Sequence, residues 1–71
     1  MKYQVTIEGM SCQHCVKAVT ESLNQLNGVQ STVVDLESKT AVVDTNQAID
    51  EAIVKKTIDD AGYTFQGLKS L

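Results

Sequence analysis

The chain has 71 residues, 42% hydrophobic and 21% charged, with no proline and a net charge of −3. Those values fit one folded domain over residues 1–71 and argue against a disordered segment, which needs low hydrophobicity and high net charge. A chain this short buries only about 60% of the surface it exposes when unfolded, so its core is thin.

Nine acidic residues stand against six basic ones, and the lysines (Lys2, Lys17, Lys39, Lys55, Lys56, Lys69) are scattered. A nucleic-acid partner would need a basic stripe with stacking aromatics, so none is expected. No apolar run approaches the roughly 20 residues of a membrane-spanning helix, so no membrane insertion is expected either. The start, Met1 to Val5, lacks the continuous apolar stretch of a secretory signal, which points to the cytoplasm.

In chain order, residues 2–8 place Tyr3, Val5 and Ile7 on one side and Lys2, Gln4, Thr6 and Glu8 on the other, the period of a half-buried strand. After a loop, Val16, Val19, Leu23 and Leu26 recur at three and four, predicting a helix from about His14 to Leu26, stopped by Gly28. Alternation returns over Val29 to Leu36 with Thr32, Val34 and Leu36 inward. The turn Glu37-Ser38-Lys39 then leads into Thr40 to Asp44, with Ala41 and Val43 inward, as the second arm of a hairpin. Asp50 is the expected N-cap of a second helix, with Ile49 packing on Val54 as a hydrophobic staple. That helix runs to Ala61, Gly62 ends it, and Tyr63 to Leu68 make the last strand, with Tyr63 and Phe65 inward.

The order is βαββαβ, an α+β ferredoxin-like sandwich with two helices on one face of a four-stranded antiparallel sheet. Each element reverses the chain. The loop after the first strand, the hairpin and the loop before the last strand should therefore share one end, gathering Cys12, Cys15, residues 37–39, Gly62 and Tyr63.

Cys12 and Cys15 are the only cysteines and lie in one loop, Gly9-Met10-Ser11-Cys12-Gln13-His14-Cys15. Two thiols three positions apart can converge on one soft metal ion or cycle between dithiol and disulfide. Cys15 falls in the first turn of the helix, where unpaired N–H groups and the helix dipole favour a thiolate. Two thiolates with no carboxylate neighbour suit a two-coordinate monovalent ion such as Cu(I), whereas structural zinc wants four closed ligands. An ion so sparsely held stays open to a third thiolate, which permits transfer through a shared-ligand intermediate.

The same loop, together with the element order and the Gly62-Tyr63 pair, resembles the Gly-Met-x-Cys-x-x-Cys signature of heavy-metal-associated domains, and among them bacterial copper chaperones. The resemblance runs from about Lys2 to Phe65 and leaves Gln66 to Leu71 outside. It implies a non-enzymatic Cu(I) carrier that delivers copper to a copper-transporting P-type ATPase. Cys12 and Cys15 would be the ligands, Met10 a buried loop anchor and Tyr63 a residue packed near the metal. A copper-responsive regulator and a metal-bridged homodimer are further candidate partners.

Alternatives stay open at this stage. The same module could be a metal-binding domain of a copper ATPase, although Met1 just before the first strand and the lack of a trailing linker favour a free-standing protein. A small thiol-disulfide oxidoreductase shares the Cys-x-x-Cys spacing, but the chain lacks thioredoxin's Trp-Cys-Gly-Pro-Cys surroundings. His14, the single histidine, is a candidate third ligand or an exposed imidazole beside the thiols. Tyr63 either fills the core edge or donates its hydroxyl to a thiolate.

Overall fold

The computed structural model describes residues 1–71 and has the expected order: β1 Lys2–Glu8, α1 Gln13–Asn24, β2 Val29–Asp35, β3 Thr40–Thr45, α2 Glu51–Asp60 and β4 Thr64–Ser70. The strands form one sheet in the order β2-β3-β1-β4, and every neighbouring pair is antiparallel. The two central strands are therefore the first of each half-repeat, with β2 and β4 left as edges.

Burial follows the sequence period. Val5 and Ile7 of β1, Ala41 and Val43 of β3, Val19 and Leu23 of α1 and Val54 and Ile58 of α2 are all within 1% of complete burial. Together they form the layer between sheet and helices. Leu26, Val34, Leu36, Ile49, Tyr63, Phe65 and Leu68 close its margins. Thr45, the one buried polar residue, donates its hydroxyl to the Gln47 carbonyl at 2.6 Å, so its burial leaves no polar atom unmatched.

The first helix and the last strand depart from the sequence reading at both ends. The first helix starts at Gln13 and ends at Asn24, so Leu26 lies beyond it. There the chain tightens, with the Gln25 N–H donating to Ser22 and the Leu26 N–H to Leu23. Leu26 still packs on the core, which is why its spacing looked helical. Gly28, at φ +90°, is consequently a turn residue past the cap Gln25 rather than the cap itself.

The last strand begins at Thr64 and continues to Ser70, and the Leu71 N–H bonds the Lys2 carbonyl. Most of the segment placed outside the resemblance is thus part of the sheet. A register shift between Thr6 and Ile7, whose partners are Gly67 and Phe65, steps over Gln66 and brings both Phe65 and Leu68 to the core side. That bulge hides the strand from a strict two-residue alternation. Small differences elsewhere, Asp35 against Leu36 and Thr45 against Asp44, are single-residue shifts at strand ends.

The antiparallel pairings put the β1–α1 loop, the β2–β3 hairpin and the α2–β4 loop at one end. The Ile7 N–H bonds the Lys39 carbonyl at 2.9 Å, and the Lys39 Nζ lies 3.7 Å from the Glu8 carboxylate.

Candidate metal centre

The loop leaves β1 through Gly9, whose φ of +98° lies in the region that side-chain-bearing residues avoid. Met10 then turns inward and is only 7% exposed, packed into the core cluster. Its thioether is therefore committed to packing, and the loop is pinned at its middle. Cys12 follows in an extended conformation as the N-cap of α1, and its carbonyl accepts from the N–H groups of Cys15 and Val16. Its side chain makes no cap hydrogen bond, and the first turn of α1 carries no acidic residue. The positive end of the helix is thus left to the thiols.

Cys12 Sγ and Cys15 Sγ lie 3.6 Å apart, both free, with Cys12 exposed and Cys15 half-buried. The Cys15 thiol is lowered from its ordinary 9.0 to about 6, first by a hydrogen bond from the Ser11 backbone, then by the Tyr63 hydroxyl and the Cys12 side chain. The Tyr63 hydroxyl is raised in turn, chiefly because the same hydrogen bond to Cys15 holds its proton, and secondarily by burial and the negative charge of the two cysteines.

Tyr63 is delivered by the end of α2. Gly62, at φ +94°, donates its N–H to Asp59, and the Tyr63 N–H reaches back to Ile58, which is a Schellman closure. The ring then packs beside the loop. A Cβ built on Gly9 would lie 3.6 Å from Tyr63 Cδ1.

Cys12, Cys15, Met10 and Tyr63 are thus brought together as the sequence predicted, with Met10 in its packing role. The Tyr63 ring packs on the core margin, with its hydroxyl on the Cys15 side. His14 is exposed, and no group of three or more His, Cys, Asp or Glu side chains is assembled to share an ion, so the structure does not join His14 to the thiols. The contribution the sequence missed is the main chain of Ser11. A backbone donor has no residue-specific signature in a sequence.

Residues 4–64 match the model of the heavy-metal-associated domain. The chain belongs to that family. Among heavy-metal-associated proteins it is similar to the copper chaperone CopZ of Bacillus subtilis (strain 168), at 47% identity over 60 residues, covering 80% of this chain and 84% of that protein. It is also similar to a copper-exporting P-type ATPase of Mycobacterium tuberculosis, at 37% identity over 62 residues, which cover 87% of this chain and 8% of that protein. A solved CopZ metallochaperone has the same fold, with a TM-score of 0.85 at 34% identity over 93% of this chain and 100% of that one.

Proposed function

We propose that this heavy-metal-associated domain is a copper chaperone: it binds one Cu(I) ion between the thiolates of Cys12 and Cys15 and hands it to a copper-transporting P-type ATPase. The observation that carries the reading is the pair of free sulfurs 3.6 Å apart at a helix N-terminus whose other electrostatic claims are vacant. Thiolates are soft ligands that favour Cu(I), and a depressed Cys15 value means the ligand is already ionised near neutral pH.

Exposure of Cys12 supports handover, because an incoming thiolate can reach the ion from the solvent side before both original bonds are lost. The ion is cargo, so the protein acts as a carrier without turnover. The similarity to copper chaperones and to a small segment of a copper-exporting ATPase supports both the cargo and the recipient. It also supports transfer between domains of like fold. A single domain over residues 1–71, working in the cytoplasm where thiols stay reduced, suits this role.

The test is a competitive Cu(I) titration of the reduced protein against a strong chelator, with mass and oligomeric state recorded together. One ion retained per chain is expected, with retention lost in Cys12→Ser and in Cys15→Ser. Copper surrendered at once to the chelator, combined with disulfide reductase activity in metal-free buffer, would replace this reading with the redox one.

A further inference from the structure

The two sheet edges are not equivalent. Edge β4 is blunted in the ways that discourage strand pairing: a bulge opposite Thr6 and Ile7, Gly67 within it and Lys69 on it. Edge β2 has its own irregularity between Val29 and Ser31, at the end away from the thiols. From Thr32 to Asp35 it pairs regularly with Thr40–Val43. That stretch carries no lysine, proline or bulge, and Val33 within it is 67% exposed.

Beside this open edge lies a groove of about 560 Å³, lined by Gln13, Val16, Val33, Val34, Leu36 and the acidic pair Asp35 and Glu37. It reaches the metal loop, since Gln13 directly follows Cys12. Its apolar floor is rimmed by negative charge without a matching cation. The molecule's two ion pairs are Lys39 with Glu8 and Lys55 with Asp59, and neither engages Asp35 or Glu37. The Asp35 carboxylate accepts from the N–H groups of Glu37 and Ser38, which fixes the rim in place.

We propose that the open edge of β2, with the groove it forms against the first turns of α1, docks an extended partner segment of alternating apolar and basic side chains. Backbone groups of the segment pair with the unpaired edge, an apolar side chain enters beside Val16 and Val34, and a lysine or arginine meets Glu37. A second copy of β2 fits less well, because residues 29–35 contain no cation to match the rim. Resting on the handover reading, the segment belongs to the protein that receives the ion. Docking here holds the recipient beside Cys12 while leaving the thiols uncovered.

The test uses the reduced, metal-free chain and a capped synthetic peptide of alternating lysine and valine, followed by amide chemical shifts. Perturbations confined to residues 31–37 and 13–16 are expected, with slowed exchange of the outward β2 amides. Binding should fall about tenfold in Val33→Lys and in Glu37→Lys, both exposed positions where the fold tolerates change. A glutamate and valine peptide should not bind. No binding, shifts centred elsewhere, or a peptide-independent dimer through β2 would overturn the proposal. Because this measurement needs no copper, its failure leaves the chaperone reading standing, and failure of the Cu(I) titration leaves the groove standing. A second arm follows copper transfer to the metal-binding domain of a copper-exporting ATPase. Val33→Lys should slow transfer at unchanged Cu(I) affinity, and an unchanged rate would overturn the assignment of the segment to the recipient.

Discussion

Cys12 and Asp50 occupy the same place in the two half-repeats, each the extended residue before a helix that returns over the sheet. Asp50 caps its helix, its carboxylate accepting from the Ala52 N–H at 2.9 Å, with Glu51 adding negative charge to the first turn. Cys12 makes no such bond, and no acid follows it. Three residues on, Ile53 stands where Cys15 stands in the other repeat. One junction satisfies its helix with oxygen. The other leaves the helix end open and places two sulfurs there. The difference teaches that the helix end at the cysteine loop lacks the two stabilising devices its counterpart has, a side-chain cap and a first-turn acid.

The strongest way to break this comparison is at the anchors behind the two junctions. Met10, two residues before Cys12, is buried, whereas the position two before Asp50 is the exposed Ala48 and the nearest apolar anchor there, Ile49, is only half-buried. Met10→Ala should lower stability by about 2–5 kcal/mol, as truncation of a buried side chain does, and Ile49→Ala by less. Urea unfolding of the two variants measures it, and equal losses would mean that the thiol loop is not specially pinned. Next comes Gly9, whose φ of +98° has no counterpart in the Asn46 to Ile49 loop, where no positive φ occurs. Gly9→Ala should cost about 1–2 kcal/mol, from backbone strain rather than collision, because the added Cβ would meet Tyr63 only at ordinary contact distance. A thermal or urea melt checks it.

A smaller and more pointed test exchanges the cap chemistry. Asp50→Ala should lose about 1 kcal/mol, and Cys12→Asp should gain a similar amount by supplying the missing cap and an anion at the α1 N-terminus. The same Cys12→Asp protein should fail to retain Cu(I) against a chelator. Opposite signs in stability and binding would establish that α1 is deliberately under-capped; a destabilised Cys12→Asp would show that the open end has some other cause.

Much of this contrast could be read before the structure. Val5, Ile7, Ala41 and Val43 alternate and Val19 with Leu23 repeat at helical spacing because burial imposes those periods, and the only two cysteines fall in one loop. Less was legible where the chain departs from a regular period. Leu26 kept helical spacing after the helix had ended, and the bulge beside Gln66 concealed the length of β4. At the site, residue type identified Cys12, Cys15, Met10 and Tyr63. It did not reveal the Ser11 backbone donor or the Schellman closure that aims Tyr63, since main-chain donors are the same at every residue except proline.

The subtlest test reads the open helix end directly through its charge. Cys15, lowered to about 6 by the Ser11 backbone, Tyr63 and Cys12, should be alkylated by iodoacetamide with a half-maximal rate near pH 6, followed residue by residue by mass spectrometry. Tyr63→Phe should move that midpoint upward, because it removes one hydrogen bond to the thiolate while keeping the ring that packs beside Gly9. The sign for folding follows from the same shift. A folded value below the ordinary 9.0 means the ionised thiol stabilises the folded chain fully above pH 9, and that contribution is lost as pH falls through about 6. Tyr63→Phe should shrink that pH dependence, as seen in urea unfolding across the pH range. An unmoved midpoint would reduce Tyr63 to packing alone and leave the backbone as the agent that separates the sulfur junction from its oxygen twin.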